Sequence, residues 1–342
     1  GEHGWSQPLR EAAYRWFGRW WLDPGGASDA TEEAAAVESA ELLRAAPTGQ
    51  VATSFRSRTV FDLNRDRARR LAAERPRATV SRLRALLQVP DRAPVVQVTH
   101  REAAAPIDGL ETDVVMLAVA DGLALPGRLI RPLREGLIGT VLVADGREAD
   151  GAQDTAGSMS IARAWAGRGF LVLSLDVRGA GVFAPVRQAG GYTPDSQLAA
   201  RAWLLGTSIV AWQTRDLLAG LAFLEREHPG GDVERVVHVA GVTSPAGLFA
   251  AALHRTSAVW VEEGFTSYAD LAATRDYVAP ARVFVPGVLE VTDLPEVMAL
   301  AAPATIHLVR PVRADGRDVR DAADLREGMG APVPGNVRVE MR

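Results

Sequence analysis

The chain has 342 residues, 47% of them hydrophobic, which is long enough for one large α/β domain or for two domains of about 150 residues each. The formal charge is −4 and the 38 basic side chains are all arginine, so no strong positive field is present and a nucleic-acid partner is not expected. Cysteine is absent, which excludes a disulfide framework, a thiolate metal site and a cysteine nucleophile. We predict no membrane-spanning helix, because Gly241 and Pro245 interrupt the longest uncharged stretch, Val236 to His254.

The first elements in chain order are helical. Apolar side chains recur at helical spacing from Leu9 to Leu22, and Asp23-Pro24-Gly25-Gly26 ends the pattern. A face of this kind normally packs on a core, and most of its members are aromatic: Trp16, Phe17, Trp20 and Trp21.

A linker over residues 25–30 leads to two further predicted helices, Glu32 to Arg44 and Asp62 to Leu87. A turn or short strand is expected between them, around Thr48 to Val51. The arginines from Arg65 to Arg84 are interleaved with acidic residues, which is typical of a solvated helix face.

From Val95 onwards the pattern changes to strands, and after Asp145 strands and helices alternate. The predicted strands are Val95–His100, Val114–Ala120, Leu129–Arg131, Thr140–Ala144, Phe170–Leu175, Val236–Ala240, Ala258–Glu262, Thr305–Val309 and Val337–Met341. The predicted helices among them are Ser160–Gly167, Leu198–Glu227, Ala246–His254 and Ala322–Glu327. Repeated strand–helix units with continuous apolar strands indicate a mostly parallel sheet covered on both faces.

A glycine-rich turn after one of these strands carries a family resemblance. Strand Phe170–Leu175 runs into Asp176-Val177-Arg178-Gly179-Ala180-Gly181, which resembles the D-x-R-G-x-G turn of the α/β-hydrolase family. The acetylxylan-esterase-like members are similar in further stretches: Ala202 to Ser208, Trp212, Arg215-Asp216, Phe223-Leu224, Ser267-Tyr268, Pro286 to Leu289 and Asp293 to Pro295.

The resemblance covers Val95 to Met341. It implies an α/β fold of the α/β-hydrolase type, with a mostly parallel central sheet, helices on both faces and an additional N-terminal helical segment. Within the turn, we expect Asp176 and Arg178 to form a buried ion pair that braces the backbone instead of taking part in catalysis.

The family places its nucleophile on a strained strand-to-helix turn, G-x-S-x-G. The corresponding segment here runs from Ala240 to Gly247 and puts Thr243 at the nucleophile position, where a β-branched residue tolerates the required backbone poorly. A shift by one residue makes Ser244 the nucleophile, but the next residue, Pro245, has no N–H for an oxyanion hole. The alternative is that both residues cap the helix that Pro245 begins.

A triad also needs a carboxylate and a histidine. Asp315 follows strand Thr305–Val309 and stands where the family has its acid, although an exposed turn aspartate is an equal alternative. No histidine follows His307, and both His307 and His238 are predicted strand histidines instead of bases. We therefore expect Asp315 to face the turn across a cleft without a histidine between them.

The opening residues Glu2-His3-Gly4-Trp5-Ser6 resemble the histidine loop that ends a hydrolase domain of this subgroup, in which tandem units occur. The resemblance implies three segments: 1–23, the tail of an upstream hydrolase domain with His3 as its base; 24–93, a helical connector; and 94–342, a hydrolase-like domain. A flexible terminal histidine is the alternative for His3, and the domain's own histidine could instead lie beyond Arg342.

Other site signatures are few. The run Asp145 to Gly151 occupies the place of the family's oxyanion loop but lacks its HGGG form, and it is not a phosphate-binding loop. Asp145, Asp150 and Asp154 lack a paired histidine or glutamate, so neither a metal nor another cofactor is predicted.

Three functions follow as hypotheses, each by analogy with the family. The leading one is a degenerate, non-catalytic unit that supports an upstream catalytic domain, in a bacterial protein related to carbohydrate esterases. The second is an active serine-type ester hydrolase that uses Ser244 or Thr243 on a carbohydrate ester. The third is a carbohydrate- or partner-binding module that uses the same cleft.

Overall fold

The computed structural model describes residues 3–22, 31–32, 36–92, 94–132, 136–149, 152–153, 155–185, 193–230 and 233–341. The chain divides into two compact units, residues 1–59 and residues 60–342. None of the helices in the described residues is long and apolar enough to cross a bilayer.

The first unit contains the predicted aromatic helix. Helix α1 (Gln7–Phe17) starts after Ser6, with proline in its first turn, and continues as a π-helical turn over Gly18–Leu22. Arg10 pairs with Glu32 at 2.8 Å. The large apolar side chains of this segment are exposed, including Trp16, Phe17, Trp20 and Trp21.

The rest of the first unit is less regular than the sequence predicts. In place of the predicted helix Glu32 to Arg44, residues 36–44 hold only a turn at 40–43, and residues 33–35 lie outside the described residues. Helix propensity alone is marginal for a segment of this length without a packing partner. The turn expected near Thr48 is present at residues 47–48, and after Gly49, which has a φ of +77°, the chain enters a short helix, α2 (Val51–Phe55).

The predicted helix Asp62 to Leu87 is two helices, α3 (Val60–Glu74) and α4 (Val80–Leu87). Pro76 lies in the break, as expected for a residue that cannot continue a helix. Both helices belong to the second unit, where Leu83 and Leu87 are fully buried in its main core. The segment predicted as a separate connector is therefore in part a layer of the hydrolase-like unit.

The strands of the second unit are β1 (Gln97–Ile107), β2 (Leu110–Ala118), β3 (Ala124–Ile130), β4 (Gly139–Gly146), β5 (Glu148–Ala149), β6 (Ala152–Gln153), β7 (Phe170–Leu175), β8 (Glu234–Gly241), β9 (Ala258–Glu262), β10 (Thr305–Val309) and β11 (Val337–Glu340). Nine of them form one sheet in the order β1-β2-β3-β7-β4-β8-β9-β10-β11. Neighbouring strands from β1 to β7 in this order pair antiparallel, and neighbouring strands from β7 to β11 pair parallel. The short strands β5 and β6 form a separate hairpin.

The remaining helices are α5 (Thr155–Gly167), α6 (Pro194–Leu204), α7 (Ile209–Glu227), α8 (Ser244–Leu253), α9 (Tyr268–Ala273), α10 (Val288–Val291), α11 (Leu294–Leu300) and α12 (Ala322–Met329). The predicted helix Leu198 to Glu227 is thus divided into α6 and α7. Gly206 takes a positive φ of 72° in the break, and the Ser208 hydroxyl accepts a hydrogen bond from the N–H of Ala211 to begin α7.

The sheet buries a core on each face, as the alternation of side chains along a strand requires. Leu142 of β4 belongs to the larger core, together with residues of α4, α7 and α8. Its neighbour Val141 belongs to the smaller core, which contains Trp165 of α5. The prediction of a mostly parallel sheet with helices on both faces is confirmed.

Candidate active-site cleft

A cleft of about 370 Å³ opens where β4, β8 and β9 end. In parallel sheets, binding sites form at the carboxyl ends of the strands, so this position makes the cleft the candidate site. Its lining residues are Gly146, Arg147, Gly241, Val242, Glu263, Phe265, Leu271, Val278, Ala279, Pro280, Arg282, Val283, Val312, Arg313 and Ala314.

The turn from β8 to α8 forms the floor of the cleft, and two glycines make it possible. Gly241 has a φ of +59° and pairs with Gly146 at the end of β4. A Cβ on Gly146 would lie 2.7 Å from a methyl group of Val242 and 2.8 Å from the backbone nitrogen of Thr243. The two strand ends can approach this closely only because Gly146 has no side chain.

The first nucleophile candidate, Thr243, lies at this turn but does not reach the cleft. It is fully buried, and its hydroxyl lies 2.7 Å from the carbonyl oxygen of Ala144 and 2.9 Å from that of Ala240. It occupies the N-cap position of α8, yet its side chain makes no capping hydrogen bond. The hydroxyl therefore ties the turn to β4 and is not available to attack a substrate.

The second candidate, Ser244, is the first residue of α8 and is also fully buried. Its Oγ has no hydrogen-bond partner among the described residues, and a Cβ on Gly264 would lie 2.8 Å from it. The turn residue that does line the cleft is Val242, whose aliphatic side chain has no nucleophilic atom. The sequence register based on Gly241 did not single out Val242.

The backbone N–H groups around the turn are directed at oxygen atoms of the protein itself. The Arg147 N–H donates to the Asp145 carboxylate at 2.9 Å. The Val242 N–H points to the carbonyl of Gly146 at 3.5 Å, and the Thr243 N–H points to that of Ala240 at 3.4 Å. An oxyanion hole needs N–H groups aimed at the substrate oxygen, and none of these three is aimed into the cleft.

The structure places the acid candidate, Asp315, away from the cleft. Its side chain is 45% exposed, lies 3.3 Å from the Arg317 guanidinium and accepts a hydrogen bond from the Arg317 N–H. Asp315 is not among the residues that line the cleft. It is the exposed turn aspartate that the sequence left open as an alternative.

The carboxylate that does line the cleft belongs to Glu263, directly after β9. Glu263 has a φ of +53°, and Arg310, at the end of β10, has a φ of +47°. The two side chains pair at 2.5 Å. Sequence reasoning missed both residues, although each follows a correctly predicted strand and therefore lies at its carboxyl end.

Both ring nitrogens of His238 are held in a hydrogen-bond network. The indole N–H of Trp165 donates to Nδ1 of His238 at 2.9 Å, so Nε2 carries the proton and faces Glu262 at 3.2 Å. This contact with His238 lowers the pKa of Glu262, and Arg147, 2.9 Å from the same carboxylate, lowers it further.

The other histidines also lack a nucleophile. His307 stacks on Trp260 of β9, with ring centroids 4.3 Å apart, and burial lowers its pKa. Among the described residues, no histidine ring nitrogen is hydrogen-bonded to Thr243 or Ser244. His3 lies in the first unit, and its role as the base of an upstream domain stays a prediction.

The D-x-R-G-x-G turn is braced by a different ion pair from the one predicted. Arg178 pairs with buried Asp216 of α7 at 2.5 Å and also with Asp121. Asp176 instead accepts the backbone N–H of Val182 at 3.2 Å, and burial raises its pKa. The partner of Arg178 comes from a distant helix, which the local sequence pattern could not indicate.

Metal ligation has no support in the part of the chain that the structure describes, where no three histidine or acidic side chains are grouped as ligands. Asp145 is engaged by the Arg147 guanidinium at 2.6 Å. Asp150 and Asp154 lie outside the described residues.

Comparison with known proteins identifies the fold. No protein-family model matches the chain, and a search of curated proteins finds no match. Among solved structures, a protein of Bacteroides fragilis NCTC 9343 assigned as an acetyl xylan esterase is 12% identical, with a TM-score of 0.58 over 87% of this chain and 82% of that one.

Two further solved structures are similar. The acetyl xylan esterase of Paenibacillus sp. R4 is 16% identical, with a TM-score of 0.48 over 79% of this chain and 91% of that one. Acetyl xylan esterase 1 of Thermoanaerobacterium sp. JW/SL YS485 is 15% identical, with a TM-score of 0.45 over 82% and 85%.

The sheet order, the helices on both faces and the likeness to the Bacteroides structure define an α/β-hydrolase fold. The likeness to the Bacteroides protein is a likeness of fold.

Proposed function

We propose that the second unit, residues 60–342, in which the predicted segment 94–342 carries the sheet, is a non-catalytic hydrolase-like domain. One observation carries the proposal: the turn that holds the nucleophile in this fold presents Val242 to the cleft, while the hydroxyls of Thr243 and Ser244 are buried. Without a nucleophilic atom at this position, the acyl-transfer chemistry of the fold cannot begin.

The surroundings of the turn support the proposal. The nearby N–H groups of Arg147, Val242 and Thr243 are directed at protein oxygens, and His238 accepts a hydrogen bond on the nitrogen that a base would need. Loss of one oxyanion donor typically costs about 100- to 1,000-fold in turnover. Several requirements of catalysis are thus missing together.

The proposed role is support for a catalytic hydrolase domain upstream in the same protein, acting on a carbohydrate ester. Residues 1–23 are then the tail of that domain, with His3 as its base. The exposed aromatic side chains of α1 are consistent with this role, because a soluble chain rarely leaves such a face uncovered.

A fluorophosphonate probe tests the absence of catalysis directly. The full chain is expected to remain unlabelled and to hydrolyse p-nitrophenyl acetate no faster than buffer with denatured chain. The matched variants are Ser244→Ala and Ser196→Ala, the latter at a serine in the first turn of α6. Stoichiometric labelling that Ser244→Ala abolishes and Ser196→Ala retains would establish the rival active serine hydrolase.

The binding-module hypothesis is the second candidate, because the cleft is open and lined by charged side chains. It is compatible with a non-catalytic unit, since binding requires neither a nucleophile nor a base.

A further inference from the structure

The charged side chains that line the cleft are each engaged by an opposite charge. The ion pairs are Arg147 with Asp145 at 2.6 Å and Glu262 at 2.9 Å, Arg282 with Asp195 at 2.8 Å, Arg313 with Asp270 at 2.8 Å and Asp324 at 2.6 Å, and Glu263 with Arg310 at 2.5 Å. Among the described lining residues, the cleft therefore presents neither a cation nor an anion that lacks a counter-charge.

A wall of paired charges disfavours ionised ligands of either sign. A charged group that enters the cleft loses its hydration, and it must compete with a carboxylate or a guanidinium group for a partner that is already bound. A neutral molecule has no such desolvation cost. The pairing thus points to an uncharged ligand.

The other lining side chains are apolar, and most of them are held in place by the larger core of the second unit. The lining residues that belong to this core or pack against it are Val242, Phe265, Leu271, Ala279, Val283, Val312 and Ala314. Because contacts behind the wall fix these side chains, the cleft is a preformed apolar pocket.

From these observations we infer that the cleft binds a small, uncharged organic molecule that is largely apolar. Its surface replaces water on the valine, leucine and phenylalanine side chains, and the volume of about 370 Å³ limits the ligand to a single small molecule. The inference rests on the proposed function, since a cleft without a nucleophile holds such a molecule without cleaving it.

Benzyl alcohol is the neutral probe, with benzoate and benzylamine as anionic and cationic analogues of similar size. In isothermal titration of the full chain at neutral pH, we expect benzyl alcohol to bind at least about tenfold more tightly than either ion, because neither ion finds a free counter-charge. Tighter binding of an ion, equal affinity for the three compounds, or no binding of benzyl alcohol at millimolar concentration would overturn the inference.

Arg310 provides a direct test of the paired charges, because it engages Glu263 and both side chains are partly exposed. Arg310→Gln leaves the Glu263 carboxylate without this counter-charge, so the affinity for benzylamine should rise at least about threefold. Arg310→Lys keeps the charge and should change that affinity less than about twofold. Equal effects of the two variants would contradict the role of charge pairing.

Val242 provides a test of the location of the ligand. Val242→Phe places a larger side chain in the cleft and should weaken the binding of benzyl alcohol at least about tenfold. Val182→Phe is the matched control, at an exposed valine that is not among the lining residues. A folded Val242→Phe chain that bound benzyl alcohol as the unsubstituted chain does would place the ligand elsewhere and overturn the inference.

Circular dichroism shows whether Val242→Phe folds, and the two Arg310 variants decide the question if it does not. Failure of these binding tests is distinguishable from failure of the proposed function. Labelling by the fluorophosphonate probe would overturn the non-catalytic assignment, whereas an unlabelled chain that preferred an ion would overturn the neutral ligand alone.

Discussion

At the scale of single residues, burial decides which side chain of the β8–α8 turn can meet a substrate. Gly241 takes the positive φ, so Val242 lines the cleft and Thr243 points into the protein. The Thr243 hydroxyl then has its one hydrogen between two carbonyl oxygens, that of Ala144 in β4 at 2.7 Å and that of Ala240 in β8 at 2.9 Å. Its contribution is therefore to stability.

We predict that Thr243→Val lowers the free energy of unfolding by about 1–3 kcal/mol, the cost of leaving a buried polar group unsatisfied. The variant keeps the shape of the side chain but leaves the carbonyl of Ala144 without its donor. Urea unfolding followed by circular dichroism measures the change.

Thr243→Ser is the control, because it retains the hydroxyl and loses one methyl group. It should be less destabilising than Thr243→Val. If Thr243→Val were the more stable of the two, the hydrogen bond to Ala144 would not be the important contact of this side chain.

At the scale of elements, one buried carboxylate ties the loop after β10 to α12. Asp324, in the first turn of α12, accepts hydrogen bonds from Arg313 at 2.6 Å and from Arg317 at 2.5 Å. Arg313 also binds Asp270 of α9. The loop that lines one side of the cleft is thereby fixed to two helices.

The pKa of Asp324 is lowered, chiefly by the hydrogen bond from Arg317 and despite the opposing effect of burial. A carboxylate with a lowered folded-state pKa contributes stability above its ordinary pKa of 3.8, and this stability is lost as the pH falls through the folded-state value. We predict that Asp324→Asn lowers the free energy of unfolding at pH 7 by about 1.5–3 kcal/mol. Denaturation at pH 7 and near pH 3 should show the difference from the unsubstituted chain shrinking in acid.

Asp315→Asn is the matched control in the same loop. Its carboxylate is 45% exposed and is bonded within the turn to Arg317, so the substitution should change stability by less than about 1 kcal/mol at either pH. An effect of Asp324→Asn that did not depend on pH would indicate a loss of packing instead of a loss of charge.

At the scale of the whole molecule, the central sheet contributes side chains to two hydrophobic cores, one on each of its faces. Leu142 and Val141 are adjacent in β4, both fully buried, and belong to different cores. Since β4 lies between β7 and β8, both cores depend on the same strand.

Truncation on either face should therefore destabilise the unit that contains the sheet. We expect Leu142→Ala to cost about 2–5 kcal/mol and Val141→Ala somewhat less, in proportion to the methyl groups removed. In urea unfolding, both variants should shift the same transition to lower concentration. A variant that shifted only part of the transition would show that the two cores unfold independently.

The sequence by itself predicted the layered fold, because each strand and helix has its own local pattern of apolar residues and the strand–helix unit recurs along the chain. Apolar runs of strand length, such as those at Phe170–Leu175 and Ala258–Glu262, coincide with the observed strands. The breaks at Pro76 and Gly206 divided helices that the periodicity had joined, since a continuous apolar pattern hides a short interruption of the backbone.

For the site, the sequence located the β8–α8 turn but not the side chain that faces the cleft. The residues around Gly241 allow either Thr243 or Ser244 as a nucleophile. In the structure both are fully buried, and β4 approaches the turn closely at Gly146. The pairing of Arg178 with Asp216, and the presence of Glu263 in place of Asp315 at the cleft, also needed the structure. Local spacing specifies where a strand ends, whereas the direction of each side chain and its charged partner depend on segments far away in the chain.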